Sequence, residues 1–183
     1  DEPTNPSSVP LLWMQHVKPG QVMWPINGGF RKPQYMKCEP SLLVKNTNYV
    51  LLRRFSAKEE ARRLVAAPYI AEDYSFESVG LENHLNYIRC CDREMTEAEA
   101  VGLSGLLNSG LIDRYFRISN GNTQANATEL RALPLPPLPV ICEIGETVMK
   151  DDTVDMDEVV VRILQQNRLI PLNIPILRET RVV

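Results

Sequence analysis

The stretch YVLLRRF, Tyr49 to Phe55, decides how the first half of this 183-residue chain is read. Its aromatic, β-branched and aliphatic residues follow Asn46 and Asn48 and predict a β-strand. The two-residue period of a strand puts Tyr49, Leu51, Arg53 and Phe55 on one face and Val50, Leu52 and Arg54 on the other. The adjacent arginines therefore point to opposite faces, and at most one of them reaches a given surface of the sheet.

Upstream, LLWMQ (11–15) and QVMWPI (21–26) read as short strands separated by the turn-forming Pro19-Gly20, and Asn27-Gly28-Gly29 as a tight turn. Trp24 is assigned to the core. Downstream, Ser56-Ala57-Lys58-Glu59 has the spacing of a capping box. RRLVAAPY (62–69) and NHLNYIRC (83–90) read as further strands, and fourteen prolines add many turns.

The second half turns helical. Thr96-Glu97-Ala98-Glu99 is a capping box with its acidic residues in the first turn, where the helix dipole favours them. Ala100, Leu103, Leu106 and Leu107 continue at helical spacing, Gly110 is the expected stop, and LIDRYF (111–116) adds another turn or two. LPLPPLP (133–139) reads as an extended exit. Asp155 is placed to cap a last helix with the apolar stripe Met156, Val159, Val160, Ile163 and Leu164. The fold expected is α+β: an irregular, curved, mostly antiparallel sheet with a few helices. Residues 9–145 form the domain, 1–8 a linker or the cut edge of a larger protein, and 146–183 a C-terminal helical tail.

An apolar fraction of 44% suffices for a sizeable core, and no apolar window is long enough to span a membrane. The acidic, Pro/Ser-rich start does not read as a signal peptide, and the expected location is the cytoplasm. There Cys38, Cys90, Cys91 and Cys142 read as reduced thiols, and their spacing does not suggest zinc. Asn126-Ala127-Thr128 matches a glycosylation acceptor by chance. No phosphate-cradling Gly-rich loop, nucleophile elbow or metal-nuclease pattern occurs, and His16 and His84 read as structural or surface residues. The question is therefore what the chain binds.

The net charge of −3 conceals a basic region. Residues 11–70 carry ten basic residues against three acidic ones, a net of +7, whereas residues 71–110 carry a net of −6. Such a region is either a solvated face or a phosphate-contacting surface. The amides Asn120, Asn122, Gln124 and Asn126 offer a similar choice. Asn and Gln pair bidentately with adenine, but they also suit turns and caps, and Asn126 has Glu129 as a capping-box partner.

Three stretches in order, YVLLRRFSAKEEARRLVAAPY (49–69), LENHLNYI (81–88) and GLLNSGLIDRYFRISNGNTQANATELRALPLP (105–136), resemble the C-terminal target-recognition region of adenine-specific DNA methyltransferases of bacterial restriction–modification systems. The resemblance covers residues 9 to 140. It implies sequence-specific binding of duplex DNA, with an N-terminal methyltransferase domain of the same parent as the other partner. Such a domain binds S-adenosylmethionine and holds the flipped adenine with (Asn/Asp/Ser)-Pro-Pro-(Tyr/Phe). The Pro-Pro here stands in Leu135-Pro136-Pro137-Leu138, without amide or aromatic ring, and no cofactor motif accompanies it. The resemblance thus implies the recognition half alone, with no cofactor in this chain. It assigns phosphate or guanine contact to Arg53 or Arg54 with Lys58, Arg62 and Lys18, and base or sugar contact to Asn122, Gln124 and His84. The last stretch also resembles the end of a recognition domain in type I specificity subunits, which dock on a separate methyltransferase subunit. A reading of another class is a protein-interaction module that docks through the Pro-rich exit and the apolar C-terminal helix.

Overall fold

A computed structural model describes residues 8–37, 39–56, 60–119, 124–151 and 153–171. The expectations for Lys58, for Asn122 and for a capping box at 56–59 fall outside them. Among the described residues nine short strands precede five α-helices: β1 (Val9–Leu12), β2 (Val17–Lys18), β3 (Gln21–Val22), β4 (Tyr35–Met36), β5 (Val44–Lys45), β6 (Tyr49–Arg53), β7 (Ala66–Tyr69), β8 (Ser78–Leu81) and β9 (Leu85–Ile88), then α1 (Glu97–Asn108), α2 (Gly110–Ser119), α3 (Ala127–Arg131), α4 (Leu138–Lys150) and α5 (Met156–Gln166). The fold is α+β, as expected.

The central sheet has the order β7-β6-β9 and is antiparallel. Its middle strand is the YVLLR stretch, and every residue from Tyr49 to Leu52 is buried, because the sheet is covered on both faces. Val50, Leu52 and Ala66 enter one apolar cluster with the helices, through Leu103, Leu107, Phe116, Ile144 and Val160. Tyr49, Leu51, Ala67, Tyr69 and Leu85 enter a second cluster with Leu12, Val17 and Val79. This second cluster is closed by the sheet β4-β1-β8-β5, in which β1 and β8 run parallel and the other pairs antiparallel. Trp24 packs against it, with edge-to-face contacts to Tyr35, Tyr74 and Phe76. Asn46 and Asn48, before β6, anchor the loop after β7. Asn48 Oδ1 accepts from Ala71 N at 2.9 Å, and Tyr69 Oη donates to Asn46 Oδ1 at 2.7 Å.

Several boundaries differ from the sequence expectation. The first strand stops at Leu12, and a 3₁₀ turn over Met14–His16 follows. The strand expected over 62–69 begins only at Ala66. Gly110 opens α2 instead of closing α1, and α2 runs a full ten residues. The largest difference is α4. Residues 134–137 lie outside any helix or strand, with Leu135 N donating to Leu133 O at 2.9 Å in a tight turn, and Leu138 and Pro139 form the first turn of a 13-residue helix with proline at a position that needs no backbone donor. The expected domain boundary at 145/146 falls inside α4. The α5 stripe is core: Val159, Val160, Ile163 and Leu164 are buried with α1 and α4, so they offer no docking surface.

Helices α1 and α4 meet backbone to backbone. A Cβ at Gly102 would lie 1.9 Å from Ile141 O, and one at Gly145 would lie 1.9 Å from Ala98 O. The start of α1 is tied down by Glu99, which completes the capping box with Thr96 and takes a two-pronged ion pair from Arg93 at 2.5 and 2.8 Å. The Cys142 thiol of α4 lies 3.9 Å from the same carboxylate. The hydrogen bonds from Arg93 outweigh burial and hold the Glu99 pKa at about 2.

Two outcomes follow from this packing. Alanine at Gly102 or Gly145 is expected to destabilise the protein in urea unfolding by about 2–4 kcal/mol, although alanine favours a helix by about 1 kcal/mol over glycine. Gly105→Ala meets the flexible end of Met156 and is expected to cost much less. Equal stability of all three variants would contradict the close crossing. The depressed Glu99 pKa contributes stability that is complete above the ordinary carboxylate value of 4.5 and is lost as pH falls toward about 2. Glu99→Gln should therefore unfold more easily at neutral pH and show a flatter loss of stability across that acid window; an unchanged acid profile would refute the role of the pair.

Candidate nucleic-acid interface

The antiparallel register brings the described candidate residues to one end of the central sheet. β6 ends at Arg53 opposite Leu85, the first residue of β9. Arg54 and His84 are thereby neighbours, and Arg54 N donates to His84 O at 2.8 Å. On the other edge, β7 starts at Ala66, whose carbonyl accepts from Gly20 N at 2.8 Å, two residues beyond Lys18. The Asn108 side chain pairs with both backbone groups of Ala66, and Asn108 O accepts from Arg62 Nε at 3.1 Å. Gln124 joins through an antiparallel bridge to Phe55.

Arg54, His84 and Gln124 form one group. The segment after α2 is laced to the end of β6: Ala125 N donates to Arg54 O at 2.9 Å, and Asn86 Nδ2 donates to Ala125 O at 2.8 Å. Ala125 is buried, whereas the flanking Gln124 side chain is exposed. Asn126 caps α3, with Glu129 N donating to Asn126 Oδ1 at 2.9 Å and Asn126 N to Glu129 Oε2 at 3.1 Å, so it has the capping role allowed by the sequence. The His84 ring lies 5.0 Å from the Phe55 ring, and its Nδ1 contacts the Glu82 carboxylate. Its side chain remains 45% exposed, which leaves the ring edge accessible to a ligand. Arg54 reaches Asn83 O at 3.3 Å and has no ion-pair partner among the described residues.

Arg53 and Arg62 are engaged differently. Arg53 Nε donates to Val17 O at 2.8 Å, and its Nη1 stands 3.9 Å from Glu60; burial lowers its pKa while Glu60 raises it. Arg62 Nη2 pairs with Asp157 at 2.8 Å, and Asp157 also accepts from Gly110 N at 2.6 Å. The two guanidinia line a cleft of about 630 Å³ together with Glu60, Asp155 and Asp157. The carboxylates outnumber the arginines there, which disfavours a phosphate. Arg63, part of the same basic run, is buried and donates from Nε to Ser56 Oγ at 3.1 Å. Lys18 is exposed beside the β2–β3 turn.

Phe55, Glu82 and Asn86, which orient this end of the sheet, were not singled out in the sequence. Their signal was present as register: a strand that pairs with residues 85–88 must bring residues 82–84 beside Arg54. What the group offers at one edge is a guanidinium held by Asn83 O, an imidazole oriented by Glu82 and an exposed amide on a backbone bridged to Phe55. No cluster of metal-binding side chains occurs among the described residues.

No protein-family profile matches the chain, and neither does any solved structure. Two curated proteins are similar to it. The Type II methyltransferase M.PstI of Providencia stuartii is 38% identical over 164 residues, which takes in 87% of this chain and 32% of that protein. The Type II methyltransferase M.BsuBI of Bacillus subtilis is 33% identical over 154 residues, 79% of this chain and 29% of that protein. The chain thus spans about a third of the length of the curated relatives it matches, and over that third it is related to Type II methyltransferases.

Proposed function

We propose that this chain is the target-recognition part of an adenine-specific DNA methyltransferase of a restriction–modification system, and that it reads duplex DNA through the end of the central sheet. The reading rests on the bridge from Phe55 to Gln124, which fixes Gln124 and Ala125 beside Arg54 and His84. Similarity to two Type II methyltransferases supports this choice over a type I specificity subunit. S-adenosylmethionine binding and methyl transfer belong, on this reading, to the part of the relatives that the chain does not span. The parent would act on DNA in the bacterial cytoplasm.

The geometry supports a division of roles. Base reading needs donors and acceptors held before the DNA arrives, and phosphate contact needs an accessible cation. On this reading Arg54 contacts guanine or phosphate, Gln124 a base edge, His84 a base or sugar, and Lys18 phosphate. Arg53 and Arg62 hold the platform behind them through Val17, Glu60, Asn108 and Asp157. Lys58 and Asn122 join the contact set on the resemblance alone.

Selection of tight-binding duplexes from a randomised pool tests the reading. The chain is expected to enrich one motif, with affinity that falls steeply as salt rises. Arg54→Ala with Gln124→Ala is expected to relax the motif at one or two positions and to weaken binding by roughly 10-fold or more, with unfolding free energy changed by less than about 1 kcal/mol. Arg62→Ala is expected to act oppositely and lower stability, because Asp157 loses its cation. No enriched motif, or no binding even near about 50 mM salt, would sink the proposal.

A further inference from the structure

The segment from Ser8 to Lys37 contains no carboxylate and four cations, Lys18, Arg31, Lys32 and Lys37. Within it, residues 26–34 form a loop closed by one side chain. Gln34 Oε1 accepts from Ile26 N at 2.7 Å, and Gln34 Nε2 donates to Ile26 O at 2.9 Å. The buried His16 completes the closure: its Nδ1 accepts from Trp13 N at 2.8 Å, which leaves Nε2 to donate to Gln34 Oε1 at 3.0 Å. Phe30 packs on the His16 ring at 4.9 Å. The tip turns through Gly28 and Gly29 at φ of +76° and +74°, and a Cβ on either would meet nothing within 4 Å, so the tip projects into solvent.

Arg31 and Lys32 stand on this loop, exposed and without an ion-pair partner among the described residues. Lys32 Nζ lies 4.3 Å from the centre of the Trp13 ring, and Trp13 Nε1 donates to Pro33 O at 2.7 Å. Trp13 also fixes where the loop sits. β1 and β8 run parallel with Leu12 opposite Leu81, so Trp13 and Glu82 leave the sheet at the same end. Glu82 N donates to Leu12 O at 2.9 Å, and the Glu82 carboxylate holds His84. The cationic loop therefore rises from the same end of the molecule as Arg54, His84 and Gln124.

We propose that the loop at residues 27–33 is a second DNA-binding element, which grips the phosphate backbone of the duplex through Arg31 and Lys32 and carries no base specificity. This rests on the reading of the chain as a duplex-DNA reader. A pre-closed loop loses little freedom on binding, and two solvent-facing cations with no ion-pair partner among the described residues suit phosphates. The division of labour is the usual one in which phosphate contacts position and base contacts specify.

The test compares Arg31→Gln/Lys32→Gln with Arg54→Ala/Gln124→Ala in the 183-residue chain, against the selected duplex and against a scrambled one of equal length. The loop variant should weaken binding to both duplexes by a similar factor, about 10- to 100-fold at low salt, and reduce the slope of log affinity against log salt by about 2. Its selected motif should be unchanged, and its thermal unfolding should match that of the parent. Undiminished binding and an undiminished salt slope in the loop variant, with binding by the parent intact, would overturn the loop assignment alone. Loss of the motif in the loop variant would also overturn it, because the loop would then read bases. Failure of the parent to bind either duplex would instead overturn the DNA-reading function itself.

Discussion

The crossing of α1 and α4 at Gly102 and Gly145 is the constraint on which the rest of the molecule depends. Each glycine stands where a single carbon would strike a backbone oxygen of the other helix. A glycine inside a helix costs about 1 kcal/mol relative to alanine, and two are tolerated here because the close approach lets side chains around the crossing interlock. Ile141, Ile144, Leu103 and Leu107 are buried there, and together they form the floor under Val50, Leu52 and Ala66 of the central sheet. Without that floor the sheet would have an uncovered apolar face.

A sheet covered on both faces leaves its ends as the places where polar side chains can meet a ligand. One end is built from the close of β6, the start of β9, the start of β7 and the close of the parallel pair β1 and β8. The charged groups there sort by depth. Arg53, Arg62 and Arg63 turn inward to carbonyls, carboxylates and a serine hydroxyl, and Arg62 joins the β-rich half to the helices through Asn108 and Asp157. Arg54, His84, Gln124 and Lys18 turn outward. A basic run in the sequence thus divides into inward-turned and outward-turned cations, and it is burial and partners, not charge count, that separate them.

The sequence was most legible where local rules decide. The strand at 49–53, the capping boxes at Thr96 and Asn126, the Asp155 cap and the α5 stripe all follow from spacing within a few residues. α4 was hidden by its own start. Prolines at 134, 136, 137 and 139 read as extended chain, yet proline is compatible with the first turn of a helix, and Gly145 further blurred the pattern. The site was legible in part. Spacing placed the two arginines on opposite faces, but only the register with β9 shows that Arg54 adjoins His84, and only the Phe55 bridge brings in Gln124. The engagement of Arg53 with Val17 and of Arg62 with Asp157 spans 36 and 95 residues of chain, beyond any local rule.

The central claim is that one end of the β7-β6-β9 sheet is where duplex DNA sits. Amide hydrogen exchange of the chain with and without a selected duplex measures this most directly. The account predicts slower exchange in residues 27–34, 82–86 and 124–126 on addition of DNA, with residues 156–166 of α5 unchanged. Protection that spares the first three segments, or that appears at α5 instead, would contradict it.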